Sequence, residues 1–200
     1  MTTDKKDIGE YIDWYSTAIA RGLESVDRLQ LEKAVELIQD ALKYRDTIYV
    51  CGNGGSAAIS DHFLCDHSKC IYCDTDKRPK IVSLPSSTAT ITAIANDINY
   101  DSIFSYQLEM FADPNDVLIV ISSSGNSANI IKALEYAKIS SMRSIAFVGF
   151  DGGKASSLAD VTLHVDVNNY GVVEDCHQAL MHILAQHVRI TQLNKDKITL

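Results

Sequence analysis

The chain has no excess of basic residues: 18 Lys and Arg stand against 26 Asp and Glu, a formal net charge of −8. A broad nucleic-acid surface needs clustered cations, so this balance argues against one. A small anionic ligand stays compatible, because backbone N–H groups at a helix start bind phosphate without any basic side chain. No apolar run approaches membrane-spanning length. The opening residues, MTTDKKDIGEYIDWYS, lack the apolar stretch of a signal peptide. Cysteine is sparse: five residues, odd in number and irregularly spaced. That excludes a regular disulfide framework and suits free thiols in a reducing, cytoplasmic compartment. There is no low-complexity segment, linker or internal repeat, and 200 residues is the size of one domain.

What is present is periodic. Ile8, Ile12, Tyr15, Ile19, Leu23 and Val26 recur every three or four residues, and Leu31, Val35, Ile38 and Leu42 continue the pattern. The spacing predicts helix over 8–44, with a bend near Gly22 and Ser25. So much apolar helix before any strand exceeds what one sheet layer needs. Residues 1–45 are therefore expected to pack on the domain and on partner subunits in a homo-oligomer, with the main domain over 46–200. Short apolar runs then alternate with helical stretches: strands are expected at 47–51, 80–84, 116–121, 144–148 and 161–165, and a last helix over 173–190. Such alternation implies an α/β fold, a doubly wound five-stranded parallel sheet flanked by helices.

Ligands of open parallel sheets bind beyond the carboxyl ends of the strands. Two loops there are rich in small polar residues. Gly52-Asn53-Gly54-Gly55-Ser56 follows the first strand and leads into a helix from about Ala57, with Ser56 placed as its N-cap. Ser122-Ser123-Ser124-Gly125-Asn126-Ser127 follows the third, and its hydroxyls and free N–H groups suit a phosphate dianion. Neither loop has the G-x-x-x-x-G-K-[ST] or G-x-G-x-x-G pattern, so no nucleotide cofactor is expected. Tight, well-capped turns use the same residue types, so it is the pair of loops on one sheet edge that points to a ligand.

CGNGGSAA (51–58) and SSSGNSANIIKAL (122–134) resemble the SIS-domain phosphoheptose isomerases, as do AIANDINYDSIF (93–104), GFDGGK (149–154) and HQALMHILAQ (177–186). The resemblance runs from about residue 8 over nearly the whole chain. It implies conversion of sedoheptulose 7-phosphate to the aldoheptose phosphate, feeding bacterial surface-polysaccharide synthesis, in a homotetramer. It implies that Asn53, Gly54, Ser56 and Asp97 contact the substrate and that Ser122, Ser123, Ser124 and Ser127 surround the phosphate. The family's catalytic Glu and His match Asp66 and His182. Its zinc-binding positions match His62, Asp66, Glu174 and His182, with Glu174 also near substrate. Three departures stand out. Asp66 replaces a Glu, Glu174 replaces a Gln, and the segment 168–173 is short and lacks the usual Asp and Arg. Relatives include isomerases of other phosphosugars and non-catalytic scaffolds that bind a replication-initiator protein; those scaffolds tend to lose the last-helix His, which is present here.

Spacing adds its own reading. His62 and Asp66 are four apart and share a helix face. Aldose–ketose isomerisation moves a proton between adjacent carbons through an enediol. It needs a base at carbon, an acid or Lewis acid at oxygen, and an anchor for the phosphate. Asp66 is a reasonable base, an imidazole works near neutral pH, and zinc would polarise the carbonyl. His182, between Leu180, Ile183 and Leu184, reads on local sequence alone as a core histidine. His67, His164, His177 and His187 read as structural or surface residues. Glu174 lies about 12 Å from His182 along an ideal helix, so it reaches a shared metal only if extended, outside the helix or from another subunit. Asp175, seven before His182, is the rival ligand. Cys65, Cys70 and Cys73 follow the C-x-x-x-x-C-x-x-C spacing of some iron–sulfur proteins, but free thiols explain them better.

Overall fold

The computed structural model describes residues 7–193. Helix α1 (Ile8–Glu24) starts at Asp7, whose carboxylate accepts from Glu10 N–H; α2 (Arg28–Tyr44) starts at Asp27, which accepts from Leu29 and Gln30. The break between them falls at the expected bend. Five parallel strands follow: β1 (Thr47–Gly52), β2 (Lys80–Ser83), β3 (Val117–Ser122), β4 (Arg143–Val148) and β5 (Val161–His164), in the order β2-β1-β3-β4-β5. The crossovers run through α3 (Gly55–Cys65), α4 (Ile71–Asp74), α5 (Thr88–Asp97), α6 (Ser105–Phe111), α7 (Ala128–Ile139) and α8 (Ala155–Leu158), and α9 (Tyr170–Thr191) closes the fold.

Side-chain alternation divides the core in two. Ile48, Val50, Ile119, Ile121 and Phe147 point to one face, where α2, α3 and α9 cover them with Ile38, Phe63 and Leu180. Tyr49, Cys51, Leu118, Val120 and Val148 point to the other, under Ile94, Leu108 and Ile130. Both faces are covered, so β1 and β3 are buried almost end to end, as the parallel arrangement requires.

Two helix starts differ from expectation. Helix α3 begins at Gly55, not Ala57: Gly54, at φ 55°, turns the chain early and takes the N-cap position. Ser56 is thus inside the helix, with its carbonyl accepting from the Ser60 hydroxyl. Helix α9 begins at Tyr170 because Asn169 caps it by accepting from Val172 N–H at 3.0 Å. Glu174 therefore sits in the second turn, not before the helix. The last turn of α3 passes into a single π-helical segment, Asp66–Cys70. The five cysteines are free thiols.

Two imidazoles are sealed in the core. His67 stacks flat on Phe63, and His177 lies edge-on to Phe147 with neither ring nitrogen hydrogen-bonded. Burial pushes their pKa values down, to about 3 and about 4, so both are held neutral. In the unfolded chain histidine titrates near 6.5. As pH falls below about 6.5, the unfolded state gains protons that the native state refuses, and stability is lost towards pH 4. Urea midpoints measured from pH 7 to 5 should fall, and His177→Leu should fall less steeply than wild type. Equal slopes would contradict the neutral burial of His177.

Candidate active site

Strands β1 and β3 are neighbours, and their crossovers leave in opposite directions, so a crevice opens beyond their carboxyl ends. The glycine loop and the serine loop line it. Asn53, Ser56, Ser122, Ser123, Ser124, Ser127, Tyr170 and Glu174 enclose a cavity of about 200 Å³.

The chain keeps anion donors free here. Ser127 is the N-cap of α7, yet its hydroxyl makes no capping bond. The Ser123 hydroxyl is buried without a partner. Helix α3 also begins without a side-chain cap. Two helix N-termini, each carrying partial positive charge, thus meet one cavity lined by hydroxyls. That is the donor set a phosphate takes.

The serine loop is held from behind by the loop after β4. Ala155 N–H donates to the Gly125 carbonyl at 2.9 Å, and Gly149 N–H to the Ser123 carbonyl at 2.8 Å. Asn126 joins the two loops, accepting from Lys154 N–H and donating to the Ser124 carbonyl. Gly125 has φ 62°, and a Cβ there would lie 2.1 Å from the Gly152 carbonyl oxygen. On the other side, Asn53 and Asn129 exchange amide hydrogen bonds at 2.9 Å, and the Tyr100 hydroxyl donates to Asn53. Asp97 is exposed at the end of α5, where it accepts from Asn96, and does not line this cavity.

Helices α3 and α9 leave the crevice side by side. At its mouth the Glu174 carboxylate lies against Gly55, so close that a Cβ on Gly55 would be 2.6 Å from Oε2. Two turns further on, His62, Asp66 and His182 converge, with one ligand atom from each lying within 4.8 Å of the others. His182 Nδ1 is 2.9 Å from Asp66 Oδ2, and His62 Nε2 is 3.5 Å from Asp66 Oδ1. Two imidazoles and a carboxylate are a sound donor set for zinc.

The structure thus brings together His62, Asp66 and His182 but leaves Glu174 with the serine loop. Among the described residues no fourth His, Cys, Asp or Glu joins the cluster. Asp175 turns away, accepting from the Tyr15 hydroxyl of α1 at 2.7 Å. His182 is not a core histidine: it is about a third exposed and paired with Asp66. Its apolar neighbours misled because they occupy other faces of α9. Three residues escaped sequence reasoning. Tyr170 walls the cavity and packs on Phe150, Asn129 orients Asn53, and Gln178 sits between His62 and His182. The signal for Gln178 was its position one turn before His182.

The SIS domain family matches residues 10–149. Phosphoheptose isomerase of Helicobacter pylori strain P12 is 37% identical over 170 residues, which cover 85% of this chain and 88% of that protein. That of Shewanella denitrificans is 36% identical over 190 residues, covering 92% and 96%. The chain belongs to the phosphoheptose isomerase family of SIS-domain proteins. The solved phosphoheptose isomerase of Neisseria gonorrhoeae superposes with a TM-score of 0.81 at 31% identity, covering 91% of this chain and 98% of its own. That of Francisella tularensis gives 0.82 at 27% identity, covering 94% and 98%. As a member of this family the chain is a phosphosugar isomerase.

The two ends of the site should respond separately to substitution. Ser127→Ala removes a hydroxyl that caps nothing, so stability should stay within about 0.5 kcal/mol of wild type. Phosphosugar affinity should weaken by about 1–3 kcal/mol, the loss of one charge-assisted bond. Calorimetric titration with a phosphosugar checks this, and an unchanged Kd would remove the phosphate assignment.

Proposed function

We propose that the chain interconverts a keto- and an aldoheptose 7-phosphate, of the sedoheptulose 7-phosphate to D-glycero-D-manno-heptose 7-phosphate type. The observation that carries this reading is the layout of α9. It presents Glu174 at the serine-loop cavity and His182 at the His–Asp cluster, eight residues and about 12 Å apart along the helix. A sugar anchored by a terminal phosphate spans more of that separation as its carbon chain lengthens, which favours seven carbons over five or six. The product would feed surface-polysaccharide heptose synthesis, and the free thiols suit a cytoplasmic enzyme.

In this reading the serine loop and the start of α7 hold the phosphate. Asn53, Gly54, Ser56 and Glu174 meet the sugar, and Asp97, which lies outside the cavity, reaches it only if the end of α5 moves inward. Asp66 accepts the proton from the carbon beside the carbonyl, while His182 gives a proton to the carbonyl oxygen. An enediol results. Return of the carbon-bound proton to the neighbouring carbon, and loss of the hydroxyl proton to His182, completes the exchange with no net proton change. His62, Asp66 and His182 are the residues that would hold zinc, whose Lewis acidity supplies polarisation of the carbonyl. Asp66 acts as base or ligand and His182 as acid–base group or ligand, and Glu174 joins as a further ligand only if its carboxylate leaves Gly55.

His182→Ala and Asp66→Asn should each lower turnover by at least about 100-fold, with phosphosugar binding largely retained at the serine loop. A coupled assay of heptose 7-phosphate isomerisation, with and without chelator, reads both. Near-normal turnover in both variants would overturn the assignment and favour a non-catalytic scaffold.

A homotetramer is part of the same reading. Ile8 and Ile12 are exposed on α1, and Leu31, Val35 and Ile183 line an apolar groove between α2 and α9. Apolar surface of this kind suits packing between identical subunits. Light scattering at micromolar concentration should give a mass of four chains; a monomer would contradict it.

A further inference from the structure

Gln178 lies on α9 one turn before His182, and its amide is wedged between two imidazoles. Nε2 is 2.9 Å from His62 Nδ1 and 3.0 Å from His182 Nε2. Asp66 faces the opposite nitrogen of each ring: Oδ2 meets His182 Nδ1 at 2.9 Å, and Oδ1 lies 3.5 Å from His62 Nε2. The four side chains form a circuit of contacts, carboxylate, imidazole, amide and imidazole, in which the His62–Asp66 side is a 3.5 Å ion-pair contact, the Cys70 thiol also faces Asp66 Oδ1, and the imidazoles lie 4.9 Å apart and nearly perpendicular.

The circuit has one consistent set of hydrogens. A carboxylate only accepts, so a ring carrying a single hydrogen turns that N–H towards Asp66. His62 then carries its hydrogen on Nε2 and His182 on Nδ1. The nitrogens facing Gln178 are left as lone pairs, and the two amide hydrogens match them one for one. A cation shared with Asp66 must take the Asp66-facing nitrogens, because those are the ones beside the carboxylate. Each ring then carries its hydrogen on the far nitrogen, where it needs an acceptor. The same amide, turned over, offers Oε1 with two lone pairs in the same place. An apolar side chain serves neither state, and an ammonium serves only the first.

We propose that Gln178 is the positioning residue of the His–Asp site, an invertible amide that fixes the orientation and tautomer of both imidazoles from the side away from Asp66. This rests on the reading of His62, Asp66 and His182 as a cation site. Partners of this kind behind metal-bound histidines affect metal affinity by about 10- to 100-fold. Gln178 has that effect on two ligands at once. It also accounts for the division of labour on α9: Glu174 stays with Gly55 at the sugar cavity, while Gln178 supplies the neutral amide to the cluster.

The test uses the full chain, stripped of metal, with Zn²⁺ as the probe. Its affinity is measured against a competing chelator for wild type, Gln178→Leu, Gln178→Glu, Glu174→Gln and His182→Ala. Imidazole ¹⁵N shifts are recorded before and after Zn²⁺ for the wild type and both Gln178 variants. His182→Ala should lose binding. Gln178→Leu should weaken it by about 10- to 100-fold. Gln178→Glu, which keeps an acceptor at that place, should bind at least as tightly as wild type, and Glu174→Gln should change little. Without metal, the wild-type spectrum should show the hydrogens on His62 Nε2 and His182 Nδ1. With Zn²⁺ they should move to the opposite nitrogens, and metal-free Gln178→Leu should show mixed tautomers at His62, whose contact with Asp66 is the longer one.

Binding by Gln178→Leu within twofold of wild type, alongside loss in His182→Ala, would overturn the role of Gln178 and leave the cation site standing. Equal loss in Gln178→Leu and Gln178→Glu would overturn it too, since the acceptor would then be irrelevant. Zn²⁺ affinity unchanged in His182→Ala would remove the cation site itself, and this inference with it.

Discussion

The pairing of β1 with β3 governs where everything else can lie. Parallel strands put all their carboxyl ends on one edge of the sheet, and a change of winding direction between adjacent strands leaves the only gap between the following helices. Five register pairs, from Ile48 with Val117 to Gly52 with Ile121, fix that edge. The glycine loop and the serine loop are the next residues of those two strands. Their convergence is therefore a consequence of sheet register. A shift by one residue would turn Val50 and Ile119 from one core face to the other, so the hydrophobic pattern that stabilises the sheet also aligns the ligand loops.

Holding an anion with neutral donors carries a cost, and the structure shows where it is met. Unbonded hydroxyls at Ser123 and Ser127 and uncapped helix starts are each unfavourable in isolation. They persist because the loop carrying them is clamped from behind by backbone bonds to the Gly149–Ala155 segment. That clamp requires contact between main chains. Gly125 and Gly153 both have positive φ, and a Cβ on either would run into the backbone of the other loop. The GFDGGK motif, which touches no cavity residue through a charged group, thus acts by shaping the serine loop.

Much of this was legible in the chain. Helices, strands and the two polar loops followed from periodicity and from small residues at strand ends, because those signals are local. Errors arose where a decisive partner was distant or where one backbone angle mattered. Ser56 was misplaced as a cap because the left-handed turn at Gly54 leaves no trace in residue type beyond a glycine among three. His182 looked like a core residue because its neighbours are apolar, whereas its partner Asp66 is 116 positions away. Gln178 was passed over because a glutamine one turn before a histidine carries no chemical meaning until both flanking imidazoles are placed. The family resemblance named His62, Asp66 and His182 together, and the fold does bring those three side chains together, but the resemblance could not say that Glu174 points elsewhere.

That separation explains how two departures from the family pattern can coexist. A carboxylate at position 174 near a phosphate cavity would be unfavourable if it faced the bound anion alone. Set against Gly55 at the start of α3, it lies instead by the positive end of a helix that no side chain caps. Its charge is met there, and the serine loop keeps its own helix start, α7, without a side-chain cap. The His–Asp cluster, two turns along, then holds a single carboxylate, Asp66. Shortening that carboxylate from Glu to Asp draws it back towards α3. With both rings wedged by Gln178, the cluster stays closed across the narrow gap between α3 and α9. In the proposed reading, anion binding falls to the serine loop and the start of α7, and cation or proton handling to the facing pair α3 and α9 further along. An isomerase of phosphorylated sugars needs both, held at a fixed separation.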